Sequence, residues 1–188
     1  MRRIALIVLF IFADCFAPTP LWAQAQKATG VQIGGPFALT DQQGRQVTDA
    51  DFRGNYLLMF FGFTYCPDIC PTTLADISAV MTALDRNASR VTPLFITVDP
   101  ERDDPATLAS YLEPFDPAIV GLTGSVAAID RVAAAYQVYR KKVPFDDSYL
   151  IDHSAVIYLM SPAGKYLLHF SHGTNPFDMA QAILDEME

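Results

Sequence analysis

Residues Tyr56-Leu57-Leu58-Met59-Phe60-Phe61 form an unbroken apolar run that leads straight into a pair of cysteines, Cys66 and Cys70. A run this short, rich in aromatics and closed by a glycine, suits a strand buried on both faces rather than a half-exposed one. Each cysteine is followed by a proline, Pro67 and Pro71. Pro71 fits the first turn of a helix, where a missing N–H costs nothing. The two thiols therefore sit where a buried strand gives way to a helix. That is the carboxyl edge of a sheet, where α/β folds place their sites. Unpaired helix N–H groups at such a point favour a thiolate over a thiol.

The rest of the chain supplies partners for that strand. Phe37 to Thr40 and Gln46 to Thr48 read as a hairpin around Asp41-Gln42-Gln43-Gly44. Beyond Cys70, the positions Leu74, Ile77, Val80, Met81 and Leu84 recur at helical spacing, and that helix is expected to end near Asn87. Leu94 to Val98 is a second buried strand. Asp104-Pro105 reads as an N-cap and first helical residue, Ser125 as a further cap, and Pro176 as the start of a last helix. Gln137 to Val143 alternates like a half-exposed strand, and Pro144 to Tyr149 reads as a polar loop. Ala155 to Met160 and Tyr166 to Phe170 are strands joined at Pro162-Ala163-Gly164-Lys165. This alternation predicts an α/β fold with a mixed central sheet flanked by helices. A strand–Cys–helix start and a strand–turn–strand–helix finish match a thioredoxin-like core, with an N-terminal β-hairpin and an insertion over 105–143.

The 188 residues suffice for one substantial core, and an apolar share of 51% excludes a disordered chain. A net charge of −8 with no basic block argues against nucleic acid as a partner. Residues 1–25 read as a signal peptide: Arg2 and Arg3, then apolar Ile4 to Ala13, then Ala23-Gln24-Ala25 as a cleavage pattern. An uncleaved membrane anchor is the competing reading, but a span needs about 20 apolar residues, and Asp14, Pro18 and Pro20 interrupt this one. Residues 26–33 are then a short linker and 34–188 the domain. Cleavage removes two arginines, Asp14 and Cys15, taking the charge to −9 and leaving Cys66 and Cys70 as the exported chain's two cysteines. In an oxidising compartment such a pair bridges or binds something.

A structural disulfide is the plain reading of Cys66 and Cys70, but a bridge gains most by closing a long loop, and this one closes almost none. His153, in Asp152-His153-Ser154 at the start of an expected central strand, sits where thioredoxin-like proteins place the loop facing the cysteines. Two thiolates and one imidazole form a soft, three-coordinate set suited to Cu(I), and to Cu(II) with a further weak donor. Zinc usually takes four ligands.

The segments GGPFALTDQQGRQVTDADFRGNY (34–56), FFGFTYCPDICPTTL (60–74), LFITVDPERDDP (94–105), VGLTGS (120–125), VYRKKV (138–143) and YLIDHSAVIYLMSPAGKY (149–166) together resemble the Sco/SenC family of copper-binding, thioredoxin-like assembly proteins. The resemblance covers almost all of the mature chain. It implies copper ligands at Cys66, Cys70 and His153, one copper ion per monomeric chain, as Cu(I) or Cu(II). It further implies a metallochaperone that helps assemble the dinuclear copper centre of cytochrome c oxidase subunit II. The expected location is the periplasm, released or tethered to the inner membrane, with a periplasmic copper donor or thiol reductant as a further partner. Ser161 stands where the family pattern leads one to expect an acidic residue.

Around these ligands, Asp152 is a candidate for orienting His153 through its second ring nitrogen or equally for capping a turn; Asp99, at a strand end, reads first as a loop cap and second as a group lining the site or meeting a partner. Asp68 is expected to be exposed, Tyr65 to shield the site, and Met59, Met81 and Met160 to be core. His169 and His172 match no ligand position of the family. The alternative function is a thiol–disulfide oxidoreductase, with Cys66 and Cys70 as the catalytic redox pair in an order the sequence does not choose. A thiol peroxidase is a third reading, weakened because no arginine is evidently placed to polarise a peroxide.

Overall fold

The structure is a computed structural model that describes residues 32–188. The expected signal segment 1–25, Cys15 and the linker as far as residue 31 lie outside the described residues. In chain order the elements are β1 (Ala38–Asp41), β2 (Gln46–Thr48), β3 (Tyr56–Gly62), α1 (Ile69–Leu84), β4 (Val91–Thr97), α2 (Pro105–Leu112), β5 (Val120–Thr123), α3 (Val126–Ala135), β6 (Arg140–Phe145), β7 (Ser148–His153), β8 (Val156–Met160), β9 (Tyr166–Ser171) and α4 (Pro176–Asp185). Seven strands form one mixed sheet in the order β2-β1-β5-β4-β3-β8-β9, and β6 and β7 form a separate hairpin. This is the expected thioredoxin-like α/β architecture.

The apolar run sits in the middle of the sheet because both of its faces must be covered. Every residue of β3 is buried. It pairs in parallel with β4, Tyr56 opposite Val91 through Gly62 opposite Thr97, and antiparallel with β8, Leu57 opposite Met160. Phe60 and Phe61 are wholly inaccessible; truncating such a ring typically costs about 3–5 kcal/mol. Met59, Met81 and Met160 are core, as expected. Helix α1 packs against α4, and α2 covers β5. The helix starts follow the sequence signals. Asp104 accepts from the Thr107 N–H at 2.7 Å, Ser125 from that of Ala128 at 3.2 Å, and Asn175 from that of Phe177 at 2.9 Å. Each satisfies an amide that the first helical turn leaves without a partner.

Three boundaries differ from expectation. Helix α1 ends at Leu84, where Asp85 takes a positive φ of 49° and a 3-10 turn runs on to Arg90. The strand expected over 137–143 and the loop expected over 144–149 are together the hairpin β6–β7, which turns at Asp146 and Asp147 and pairs Arg140 with His153. His153 therefore ends the hairpin instead of opening β8. No helix among the described residues is long and apolar enough to cross a membrane.

Candidate metal centre

The site begins where β3 runs out. Gly62 is its last residue, and a Cβ there would stand 2.8 Å from Cys70 Sγ and 2.7 Å from a Phe95 ring carbon. Only a hydrogen side chain lets the Cys70 sulfur approach the strand end so closely. Cys70 lies in the first turn of α1 and is fully buried, while Cys66, on the turn before it, is half-buried. Both are free thiols.

The turn converts the pair into a thiolate and a thiol. The Cys70 N–H, free at the start of α1, donates to Cys66 Sγ at 3.4 Å. Hydrogen bonding with the Cys70 thiol is the largest influence on Cys66; hydrogen bonds from the Asp68 and Cys70 amides add to this, against burial, and the Cys66 pKa falls to about 3. Cys70 moves the opposite way, because its proton is shared with Cys66 and because its burial penalises charge. The sequence left the attacking thiol undecided. Accessibility and charge both favour Cys66.

His153 closes the third side. Its Nε2 lies 3.9 Å from Cys70 Sγ, and its ring meets Phe63 edge-on with centroids 5.7 Å apart. Its Nδ1 lies 3.1 Å from the Ser154 carbonyl oxygen. That contact holds the proton on Nδ1 and leaves Nε2 with a free lone pair toward the sulfurs, which is how a ligating histidine is usually set. Ser154 thus has the orienting position offered above to Asp152, which is exposed on the hairpin opposite Lys141. Among the described residues no three His, Cys, Asp or Glu side chains already stand close enough together to cage an ion. The donor types fit a soft cation, and Cys66, Cys70 and His153 have to draw in slightly to share one.

Behind the thiols is a buried carboxylate that the sequence reading did not single out. Asp103 is fully buried. It accepts from the Thr64 N–H at 3.1 Å, the Thr64 hydroxyl at 2.6 Å and the Thr97 hydroxyl at 2.6 Å. It thereby pins the turn two residues before Cys66 to the end of β4. Burial raises its pKa, against the threonine hydrogen bonds. Asp99 is also buried. It accepts from the Tyr149 hydroxyl at 2.9 Å and is ion-paired with Arg102. Its neighbours are therefore a hairpin residue and an arginine, not a ligand. Asp68 is exposed, as expected. Tyr65 is 58% exposed, so it does not seal the site; instead it stacks on Arg102. His169 contacts the Tyr166 hydroxyl and His172 the Thr73 hydroxyl, so the two histidines do not converge.

A thioredoxin-like fold with a Cys-x-x-x-Cys turn at the sheet edge, faced by a histidine from a separate hairpin, defines a class of thiol and metal-handling proteins. The chain belongs to the SCO1/SenC family, whose model matches residues 25–188. It is 45% identical over 157 residues to the protein sco1 of Schizosaccharomyces pombe, covering 81% of this chain and 60% of that protein. It is 41% identical over 159 residues to the mitochondrial SCO1 homolog of Homo sapiens, covering 82% of this chain and 53% of that one. The chain therefore spans just over half the length of these relatives. Among solved structures, Bradyrhizobium japonicum ScoI with copper bound has 48% identity and a TM-score of 0.77, covering 81% of this chain and 98% of that one. Yeast Sco1 with copper bound has 35% identity and a TM-score of 0.76, covering 83% and 88%. The structure of BsSco, described as a member of the Sco family of cytochrome c oxidase assembly proteins with a disulfide switch, has 25% identity and a TM-score of 0.68, covering 82% and 93%.

Proposed function

We propose that this chain is a copper carrier of cytochrome c oxidase assembly, holding one copper ion through Cys66, Cys70 and His153 and passing it toward the dinuclear copper centre of oxidase subunit II. The observation that carries this reading is the approach of an imidazole nitrogen to the buried sulfur of the Cys-x-x-x-Cys turn at the sheet edge, Cys70 Sγ lying 3.9 Å from His153 Nε2. Relatives of the same fold have been solved with copper bound. Sulfur ligands favour Cu(I), and three protein ligands leave one side open to an incoming thiolate. Transfer then proceeds by ligand exchange, without the ion entering water. On this reading the chain works in the periplasm, released or tethered by its N-terminal segment, and is reloaded there by a copper donor.

A competition titration of the reduced chain with Cu(I) and a coloured chelator tests this. One ion per chain is expected, with weaker binding after His153→Ala and after Cys70→Ala. Unchanged binding in both variants refutes the site.

The asymmetry of the thiols also supports a second reading, thiol–disulfide exchange. Cys66 as thiolate attacks a partner disulfide, forming a mixed disulfide and releasing one partner thiolate. Cys70 then loses its proton, attacks Cys66 Sγ and releases the second, leaving the partner reduced and Cys66–Cys70 oxidised. Turnover of mixed disulfides by metal-free protein, with oxidase assembly indifferent to His153→Ala, would favour this reading over the first.

A further inference from the structure

The hairpin that carries His153 has no strand partner in the main sheet. Its position relative to the cysteines is set by its short connections to α3 and β8, by the buried Ile151 and by side-chain ties. Arg102, in the loop after β4, touches three separate parts of the site. Its Nε is ion-paired with the buried Asp99 at the end of β4. Its Nη1 donates to the Tyr149 carbonyl oxygen at 3.0 Å and to the Ser148 hydroxyl at 3.3 Å, both at the start of β7. Its guanidinium plane lies over the Tyr149 ring at 3.8 Å and over the Tyr65 ring at 4.6 Å, and stands 6.0 Å from the Phe63 ring. Tyr65 adjoins Cys66, and Phe63 meets the His153 imidazole. The arginine is thus wedged between the turn that holds the thiols and the strand that ends in the histidine.

We infer that Arg102 is a positioning residue that latches the His153 hairpin to the cysteine turn. This rests on Cys66, Cys70 and His153 being the copper ligands. A lone two-stranded hairpin is marginal by itself, and the entropy of fixing it must be offset by what holds it down. Asp99 fixes the guanidinium's direction, and the planar fork then fixes Ser148 and Tyr149. A lysine cannot reproduce this, since it has neither the fork nor a flat face to stack. Arg140 and Lys142 also tie the hairpin down, to Val98, Asp130 and Glu101. Those contacts reach α3 and the end of β4, whose Val98 N–H donates to the Gly62 carbonyl oxygen at 2.7 Å; Arg102 is the tie that meets the rings of Phe63 and Tyr65 on the cysteine turn itself. The latch reaches the ligands through Tyr149, four residues before His153, and through Phe63 and Tyr65 on the cysteine side. It sets how readily the third ligand closes on the thiols.

The test compares wild type with Arg102→Gln and, from the hairpin side, Tyr149→Leu. In the metal-free reduced chain, amide hydrogen exchange should speed up over residues 148–153 in both variants while β3 stays protected. Cu(I) affinity by competition should fall about 10- to 100-fold in both, the range typical of losing a group that orients a ligand, with one ion still bound. The double variant should lose little more than either single one, because both cut the same contact. Exchange over 148–153 that matches wild type, or that speeds equally throughout the sheet, overturns the latch. The exchange readout needs no copper. It therefore judges the latch even if His153→Ala and Cys70→Ala show that the ligand reading is wrong.

Discussion

Cys70 Sγ and His153 Nε2 lie 3.9 Å apart although 83 residues separate them in the chain. The contact depends on two different ends of the fold. Cys70 is held by the buried strand β3 and the first turn of α1, and His153 by a hairpin outside the sheet. The first predictions concern the cysteine end, where the structure is most constrained.

The pair should titrate as a thiolate and a thiol. Cys66 has its pKa lowered to about 3, first by the Cys70 S–H, while that of Cys70 is raised. An ordinary thiol becomes more reactive with pH up to about 8.5. In the reduced chain, alkylation of Cys66 should instead vary little between about pH 5 and 8, and Cys70 should stay unmodified. Peptide mass spectrometry after timed iodoacetamide treatment reads both. The sign for stability follows from the lowered pKa. Between about 3 and 9.0 the unfolded chain holds a proton on Cys66 that the folded one lacks. This group therefore contributes stability that is present above the unfolded value and lost as the pH falls through about 3.

Gly62→Ala should damage the site from behind. The new methyl would meet Cys70 Sγ at 2.8 Å and Phe95 at 2.7 Å, in the middle of a fully packed core. Overpacking of this kind costs about 1–3 kcal/mol. Urea unfolding should show that loss, and Cu(I) affinity should fall with it because the displaced atom is a proposed ligand.

Asp103→Ala should loosen the cysteine turn. It removes the acceptor for the Thr64 N–H, the Thr64 hydroxyl and the Thr97 hydroxyl. Each buried donor left unpaired costs about 1–3 kcal/mol. A lower thermal midpoint is expected, with much of the loss restored by Asp103→Asn, which keeps an acceptor oxygen. An unchanged midpoint for the alanine variant would show that the clamp is dispensable.

Much of the cysteine end was legible in the sequence, and for clear reasons. Tyr56 to Phe61 is apolar at every position, which only a doubly covered strand tolerates. Asp104-Pro105 and Asn175-Pro176 mark helix starts by local chemistry that does not depend on the rest of the fold. The hairpin was misread because β6 is almost wholly exposed and only β7, through Ile151, enters the core. Val143 and Phe145 are exposed, so the alternation read over Gln137 to Val143 did not carry through to the turn, and His153 was assigned to the wrong strand. Arg102 and Asp103 were given no role from the sequence, because they stand in a charged stretch with no apolar pattern. Their burial depends on Tyr149 and Thr64, each about 40 or more residues away, and no local pattern reports that. The pairing of Asp99 and Arg102, three apart after a buried strand, was the available signal.

Oxidation should abolish copper binding reversibly. A disulfide between Cys66 and Cys70 uses both proposed sulfur ligands and leaves no thiolate for the ion. Chain treated with a disulfide oxidant should bind no copper by equilibrium dialysis, and a thiol reductant should restore one ion per chain. Full binding by the oxidised chain would move the site elsewhere.

X-ray absorption at the copper edge of the reduced, copper-loaded chain tests the central claim most directly, because it counts the ligands by element. Two sulfurs and one imidazole nitrogen are predicted, with the nitrogen signal lost in His153→Ala. A shell with no sulfur, or one unchanged by His153→Ala, would contradict a copper site built from Cys66, Cys70 and His153.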